Sequence, residues 1–371
     1  MSGRPTFTLG IEEEFQTVDP LTRDLRSHIQ SQIIAQGKMR LQERVKPEMH
    51  GSVVEVGTGI CRTIADARQE VCELRRNMVR LAEENNLRLA AAGTHPFADW
   101  KTQEIFPDDR YRVIVEDMQQ VARANLIFGL HVHIGIEDRE TTIQLMNAAR
   151  YFLPHILALS VNSPFWKGYN TGLKSYRCKV FDKFPRTNIP DYFQSYGEYE
   201  NFVNLLIRTH CIDNAKKIWW DLRPHPFFGT LEFRICDIPC RAEETVAIAA
   251  LAQALVARLQ RLIESNLRVR RYARTTIEEN KFRALKTGLD GGMIDFSLKR
   301  EASTRDLLVE VLDFVAEAAA ELGTRAEMDY LRTWATKGDT GADRQLRAFH
   351  ASHDLRGVVD FLVDETKQGL V

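Results

Sequence analysis

The chain has no run of 18 consecutive apolar residues, so no membrane-spanning helix is expected. It has no basic arm: 50 Lys plus Arg stand against 51 Asp plus Glu, a net charge of −1. That balance removes the electrostatic reason to expect a nucleic-acid partner. Cysteine is sparse and scattered, with six residues at positions 61, 72, 178, 211, 236 and 240. Cys236 and Cys240 are the one close pair, and no second pair stands at zinc-finger spacing. Reduced thiols in a cytoplasmic protein are the expectation. The opening segment MSGRPTFTLGIEEEF lacks the apolar core of a secretory signal. Repeats, low-complexity tracts and a clear linker are also missing, so a single domain over residues 1–371 is expected.

What is present reads as a mixture of strands and helices. TFTLGIEEEFQTV, GSVVEVGTGI, LRLAAAGTHPF and GTLEFRICDI have strand character. TIADARQEVCELRRNMVRLAEENN has apolar residues at helical spacing. TTIQLMNAARYFLPHILALS is a helix expected to kink at Pro154, and residues 162–192 are loop-rich. A long apolar-rich helix is expected from Ala242 to Asn266, and another after the cap Ser303. Alternating strands mixed with helices predict an α+β fold with a largely antiparallel sheet.

Several strands carry charge where apolar residues belong. In GIEEEF, Glu12 and Glu14 share one face, and Ile11, Glu13 and Phe15 the other. Glu55 sits among valines, with Glu48 seven residues before it. In GLHVHIGI, His131 and His133 project together, opposite Leu130, Val132 and Ile134. In GTLEFRIC, Glu232 and Arg234 share a face. Taken singly, each has a bland reading: a solvent face of an edge strand, a hydrogen-bonded core pair, a cross-strand ion pair. Taken together, clustered carboxylates at low dielectric persist where cations neutralise them. Oxygen ligands with one or two imidazoles suit Mg2+ or Mn2+ better than zinc. Such ions with an arginine nearby are what phosphoryl transfer needs.

The blocks TLGIEEEFQTVDP, AAGTHPFADW, GLHVHIGI, NSPFWKGYNTGLKSYR, WWDLRPHPFFGTLEFRICD and EENKFRALKTGLDG carry a resemblance. They resemble the carboxylate–amine ligase family of the YbdK type (glutamate–cysteine ligase type 2), in the glutamine synthetase and glutamate–cysteine ligase superfamily. The resemblance implies a glutamine synthetase-like fold, a curved antiparallel sheet forming an active-site funnel with helices on its outer face. It implies ATP as co-substrate with Mg2+ or Mn2+, and a carboxylate activated as an acyl phosphate for attack by an amine. It implies small-molecule amino-acid and amine substrates, a cytoplasmic address and a homo-oligomer, with a dimer first in line.

By the same resemblance, Glu12, His131 and Glu232 are expected to ligate the metal on the ATP phosphates. Glu14, Glu48 and Glu55 are expected around the metal nearer the amino acid. Arg234 resembles the arginine that stabilises the transferring phosphoryl group, and His133 a polar neighbour of the phosphates. Arg223 falls in a block that looks phosphate-facing, and Arg110, Arg177 and Asn162 in blocks that look substrate-facing. Arg177 is the candidate for gripping the substrate carboxylate bidentately. Lys281 and Arg283 are expected at the surface or on a lid, and His95 in a loop. Trp219 and Trp220 are expected as core and rim aromatics. Two other classes stay open: a metal-dependent hydrolase of the amidohydrolase kind, and a nucleotide-binding protein without turnover.

Overall fold

The structure is a computed structural model that describes residues 7–267 and 269–370. Its strands are β1 (Leu9–Val18), β2 (Val45–Pro47), β3 (Val53–Gly57), β4 (Arg88–Ala90), β5 (Gly129–Gly135), β6 (Phe165–Trp166), β7 (Tyr169–Asn170), β8 (Leu222–Pro224), β9 (Thr230–Asp237), β10 (Gly292–Asp295) and β11 (Arg300–Ser303). The helices of the first half are α1 (Ile33–Leu41), α2 (Ile64–Glu84), α3 (Asp109–Met118), α4 (Gln120–Arg123), α5 (Arg139–Ala149), α6 (Leu153–Ser160) and α7 (Tyr176–Phe181). Those of the second half are α8 (Tyr196–Arg208), α9 (Ala242–Glu264), α10 (Arg274–Thr287), α11 (Thr304–Leu322), α12 (Arg325–Lys337), α13 (Gly341–Ser352) and α14 (Leu355–Lys367).

Seven strands form one open antiparallel sheet in the order β2-β3-β1-β5-β9-β8, with β4 also paired to β1. Local sequence explains the helix boundaries. Thr63 and Asp66 cap α2 reciprocally, Oγ1 accepting from the Asp66 amide at 3.1 Å and the carboxylate from the Thr63 amide at 2.9 Å. Ser303 caps α11 in the expected manner. The helix expected to kink at Pro154 is two helices, α5 and α6, joined by a 3-10 turn over Arg150–Phe152. Proline takes the second position of α6, where its missing N–H costs no hydrogen bond.

One face of the sheet carries the core. Leu130, Val132 and Ile134 of β5 and Ile11 of β1 pack with Ile143 and Met146 of α5 and the length of α9. By length and composition α9 could cross a membrane; here it is the buried central helix, packed by α2, α5, α11 and α12. A second apolar cluster holds Phe15, Val54, Leu74, Leu89 and Val359.

Between Ile11 and Phe15, at the seam of the two clusters, lies Glu13, only 2% exposed. Arg75 of α2 meets it with Nε at 2.9 Å and Nη2 at 2.5 Å. The guanidinium also donates to the Pro239 and Cys240 carbonyls, and the Thr245 hydroxyl donates to Glu13 at 2.6 Å. The charge is therefore buried with its partners, as a buried ion pair requires.

Candidate functional site

The register brings the charged positions together. Glu12 pairs with His131 across β1 and β5, His133 with Glu232 across β5 and β9, and Glu14 with Glu55 across β1 and β3. Strand alternation turns these side chains to the face opposite the α5 and α9 core. Among the described residues, the metal-ligating groups that converge are Glu12, His131 and Glu232, with one ligand atom of each within 4.8 Å of the others.

The geometry inside this group is close. His131 Nδ1 stands 3.3 Å from Glu12 Oε2. His133 Nε2 lies 3.6 Å from the same oxygen and 3.8 Å from Glu232 Oε1, so it faces the same space as His131. Its Nδ1 is 3.0 Å from the Thr230 hydroxyl, while its buried Nε2 has no hydrogen-bond partner. Glu232 is 1% exposed and accepts from Arg223 Nε and Arg234 Nη1, each at 2.5 Å.

The electrostatics follow from these neighbours. Burial pushes the Glu232 carboxyl up, but Arg234 and Arg223 outweigh it and hold the group well below the ordinary range. Burial likewise opposes ionisation of Glu12, and the two histidines overcome it. Burial and Arg234 lower His131, leaving a neutral imidazole with a lone pair to offer. Two carboxylates and one neutral imidazole make a donor set that a divalent cation fits.

The second acidic set is arranged differently. Glu14 Oε2 accepts from the Gly129 amide at 2.6 Å, and Glu48 folds back to the Met49 amide at 3.2 Å. Lys46 lies 3.2 Å from Glu55 and 3.8 Å from Glu12, a cation between two acids. Burial and then Glu14 push Glu48 up to about 7, and burial and then Glu12 push Glu55 well above its ordinary value. Glu14, Glu48 and Glu55 are thus neighbours, but the converging group of three is the other one.

Three expected ligand-facing residues have their polar groups committed inside the protein. Arg177 is 2% exposed and donates Nη1 to the Ile235 carbonyl and Nη2 to the Arg234 carbonyl. Those carbonyls lie where the β5–β9 register shifts, a bulge that frees them from the ladder. The bidentate grip on a substrate carboxylate expected of Arg177 is therefore replaced by a grip on the bulge. Gly129 stands directly against it; a Cβ there would overlap the guanidinium. Asn162 is 1% exposed and hydrogen-bonds the Ala91 and Ile238 carbonyls and Gln345, which makes it a buried brace rather than a substrate contact. Arg223 spends its donors on Glu232 and on the Lys216 and Ile218 carbonyls, so it orients a carboxylate rather than meeting a phosphate.

Arg234 and Arg110 are differently placed. Arg234 holds Glu232 with Nη1, while its Nε is unpartnered. Arg110 is exposed on α3, with its guanidinium 4.8 Å from the Tyr111 ring centroid and its charge felt by Glu48. Lys281 overturns its surface assignment: it is 3% exposed and bridges Asp221 at 2.7 Å and Asp182 at 3.2 Å. Arg283 is partly exposed and pairs with Glu279 and Glu301. His95 is a loop brace, its Nδ1 accepting from the Phe97 and Ala98 amides.

Sequence reasoning missed Lys46 and Thr230. A signal existed for Lys46, which stands two positions before Glu48 in VKPEMH. Thr230 opens β9 and gave none. The stacked pair His225 and Phe228, with ring centroids 4.1 Å apart and His225 5.5 Å from His133, was also missed.

Comparison with known proteins adds a separate line of evidence. The family model described as glutamate–cysteine ligase family 2 matches residues 8–365. A relative from Solibacter usitatus, provisionally named glutamate–cysteine ligase 2, is 65% identical over 100% of this chain and 96% of its own. One from Roseiflexus sp., named the same way, is 56% identical over 98% of this chain and 96% of its own. Among solved structures, the glutamate–cysteine ligase of Francisella tularensis in complex with AMP superposes with a TM-score of 0.68 at 12% identity. The match covers 98% of this chain and 90% of that one. A bifunctional glutathione synthetase from Pasteurella multocida gives 0.70 at 13% identity, over 98% of this chain and 52% of that one. At such identities the likeness is one of fold.

Proposed function

The chain belongs to glutamate–cysteine ligase family 2 and is a carbon–nitrogen ligase of that type, and from that premise we propose that it joins a carboxylate to an amine with ATP as co-substrate. In the proposed reaction a carboxylate oxygen attacks the γ-phosphorus of ATP. The bond from that phosphorus to the bridging oxygen of ADP breaks, leaving an acyl phosphate. The amine nitrogen attacks the acyl carbon, inorganic phosphate departs, and the nitrogen gives up a proton as the amide forms. Glutamate and cysteine are the proposed pair, after the names its relatives carry.

The observation that carries this reading is the convergence of Glu12, His131 and Glu232 beside Arg234. A Mg2+ or Mn2+ ion held by the three would offset charge on phosphate oxygens. Glu14, Glu48 and Glu55 are proposed to hold a second cation nearer the amino acid. Arg234 supplies a fixed positive group for the transferring phosphoryl, and His133 is a polar neighbour to it. Arg223 is a positioning residue that holds the Glu232 carboxylate. Arg110, on α3 next to Glu48, is the proposed contact for an incoming carboxylate. A hydrolase of the amidohydrolase kind would ask for more histidines than the one in the converging group.

The proposal extends to a single catalytic domain over residues 1–371, acting in the cytoplasm as a homodimer. The test is ADP release with Mg2+, ATP and a panel of amino acids and amines, with the product identified by mass. ADP that appears only when both a carboxylate and an amine are present, with a matching amide, supports the reading. ATP binding with no ADP from any mixture would refute it.

A further inference from the structure

A cavity of about 820 Å3 lies behind the sheet, among α5, the end of α9 and the start of α10. That is the size of a small-molecule pocket. None of its lining residues belongs to the carboxylate-bearing face, because α5 packs on the opposite side of β5. Among the described residues, the lining contains Arg150, Arg270 and Arg271 and not one Asp or Glu.

Arg150 is the informative member. It sits on the 3-10 turn between α5 and α6 and is 2% exposed. Its guanidinium has no hydrogen bond or ion pair among the described residues, and its buried Nε is unpartnered. Other buried arginines keep partners even where one nitrogen is free: Arg75 and Arg223 spend donors on carboxylates and carbonyls, Arg177 on two carbonyls and Arg234 on Glu232. The acids nearest Arg150 are already engaged, since Arg274 lies 3.4 Å from Asp191 and 2.7 Å from Glu278. Burial, helped by Arg271 and Arg274 and opposed by Asp191, pushes Arg150 down to about 10. A buried cation left without a partner, facing a cavity lined by two more cations, is a group prepared for an anion.

The rest of the lining says what else the ligand carries. Tyr151 and Tyr272 lie 5.2 Å apart on the wall, and Arg271 stands 3.9 Å from the Tyr192 ring centroid. Aromatic faces beside arginines accept a flat apolar body with a charged head. We propose that this cavity binds a small organic oxyanion, a carboxylate or phosphate monoester with an aromatic body, its head on Arg150 and Arg271 and its ring among the tyrosines.

The test is calorimetric titration of phenyl phosphate and of benzoate into the full chain, with benzyl alcohol as the uncharged counterpart. At least one anion is expected to bind saturably, and benzyl alcohol not. Which anion binds tells a phosphate head from a carboxylate one. Arg150→Met is expected to weaken binding by about tenfold or more, as loss of a charge-assisted pair requires. The same substitution should leave Tm unchanged or raised in the absence of ligand, because it removes an unpaired buried charge; a purely structural arginine would lower it. Arg271→Ala, at an exposed position, should weaken binding without moving Tm. No saturable binding of either anion, equal affinity in both variants and the parent, or benzyl alcohol binding as tightly as the anions would each overturn the proposal.

Discussion

Glu12 and His131 face each other across adjacent strands, with Oε2 and Nδ1 3.3 Å apart and Glu232 completing the group from the next strand. Each of the three comes from a different strand, so their spacing is set by sheet register rather than by any one loop. Glu12→Gln keeps the shape and removes the charge. The expected result is a loss of metal-dependent ADP formation of roughly a hundredfold with an unchanged far-UV spectrum. Turnover retained at the parent rate would end the metal assignment.

Arg234 is expected to act mainly in the transition state. Arg234→Ala should lower kcat by about a hundredfold or more while KM for each substrate changes far less. Arg234→Lys should not restore it, because a single ammonium cannot hold Glu232 as Nη1 does and still present the further planar donors of a guanidinium to the phosphoryl. A pure KM effect would move Arg234 to substrate binding.

Arg75→Ala strands the Glu13 carboxylate at the seam of the two apolar clusters. Loss of one member of a buried pair costs about 3–5 kcal/mol. Urea unfolding of the variant should show that drop, and a change below about 1 kcal/mol would mean that the pair is less buried than 0% and 2% side-chain exposure imply.

His155, 1% exposed on α6, provides a pH signature. Burial lowers its folded value to about 4, below the ordinary 6.5 of an unfolded chain. As pH falls through 6.5 the unfolded chain takes up the proton first. The stability tied to the neutral imidazole is therefore present above about 6.5 and lost as pH falls towards 4. Relative to His155→Phe, the parent should lose roughly 1.4 kcal/mol per pH unit across that window. Parallel stability curves for the two proteins would contradict the assignment.

Which features were legible from residues alone follows from how local they are. Alternation along β1, β5 and β9 put Glu12, His131 and Glu232 each on the uncommon face of its strand, and the caps at Thr63 and Ser303 marked helix starts. The pairing of those strands is not local, and only the family resemblance supplied it. The fates of Arg177, Asn162, Arg223 and Lys281 were illegible for the same reason. A polar side chain is read as ligand-facing or buried according to partners far along the chain: Ile235 for Arg177, Gln345 for Asn162, Asp221 for Lys281. The bulge that exposes the Ile235 carbonyl leaves no mark in GTLEFRIC. Glu13 could be placed on the core face, but its partner lies 62 residues away.

The Glu13–Arg75 pair also acts as a ratchet stop on β1. A slip of one residue would exchange the two faces of that strand. It would drive Glu12 and Glu14 into the apolar layer, where Arg75 can meet one of them and the other is left unpaired at the place of Ile11 or Phe15. Because Arg75 also holds the Pro239 and Cys240 carbonyls just beyond β9, the same guanidinium ties the strand bearing Glu12 to the one bearing Glu232. The spacing of two carboxylates on the working face is thus indexed from behind, by a charge that never meets the solvent.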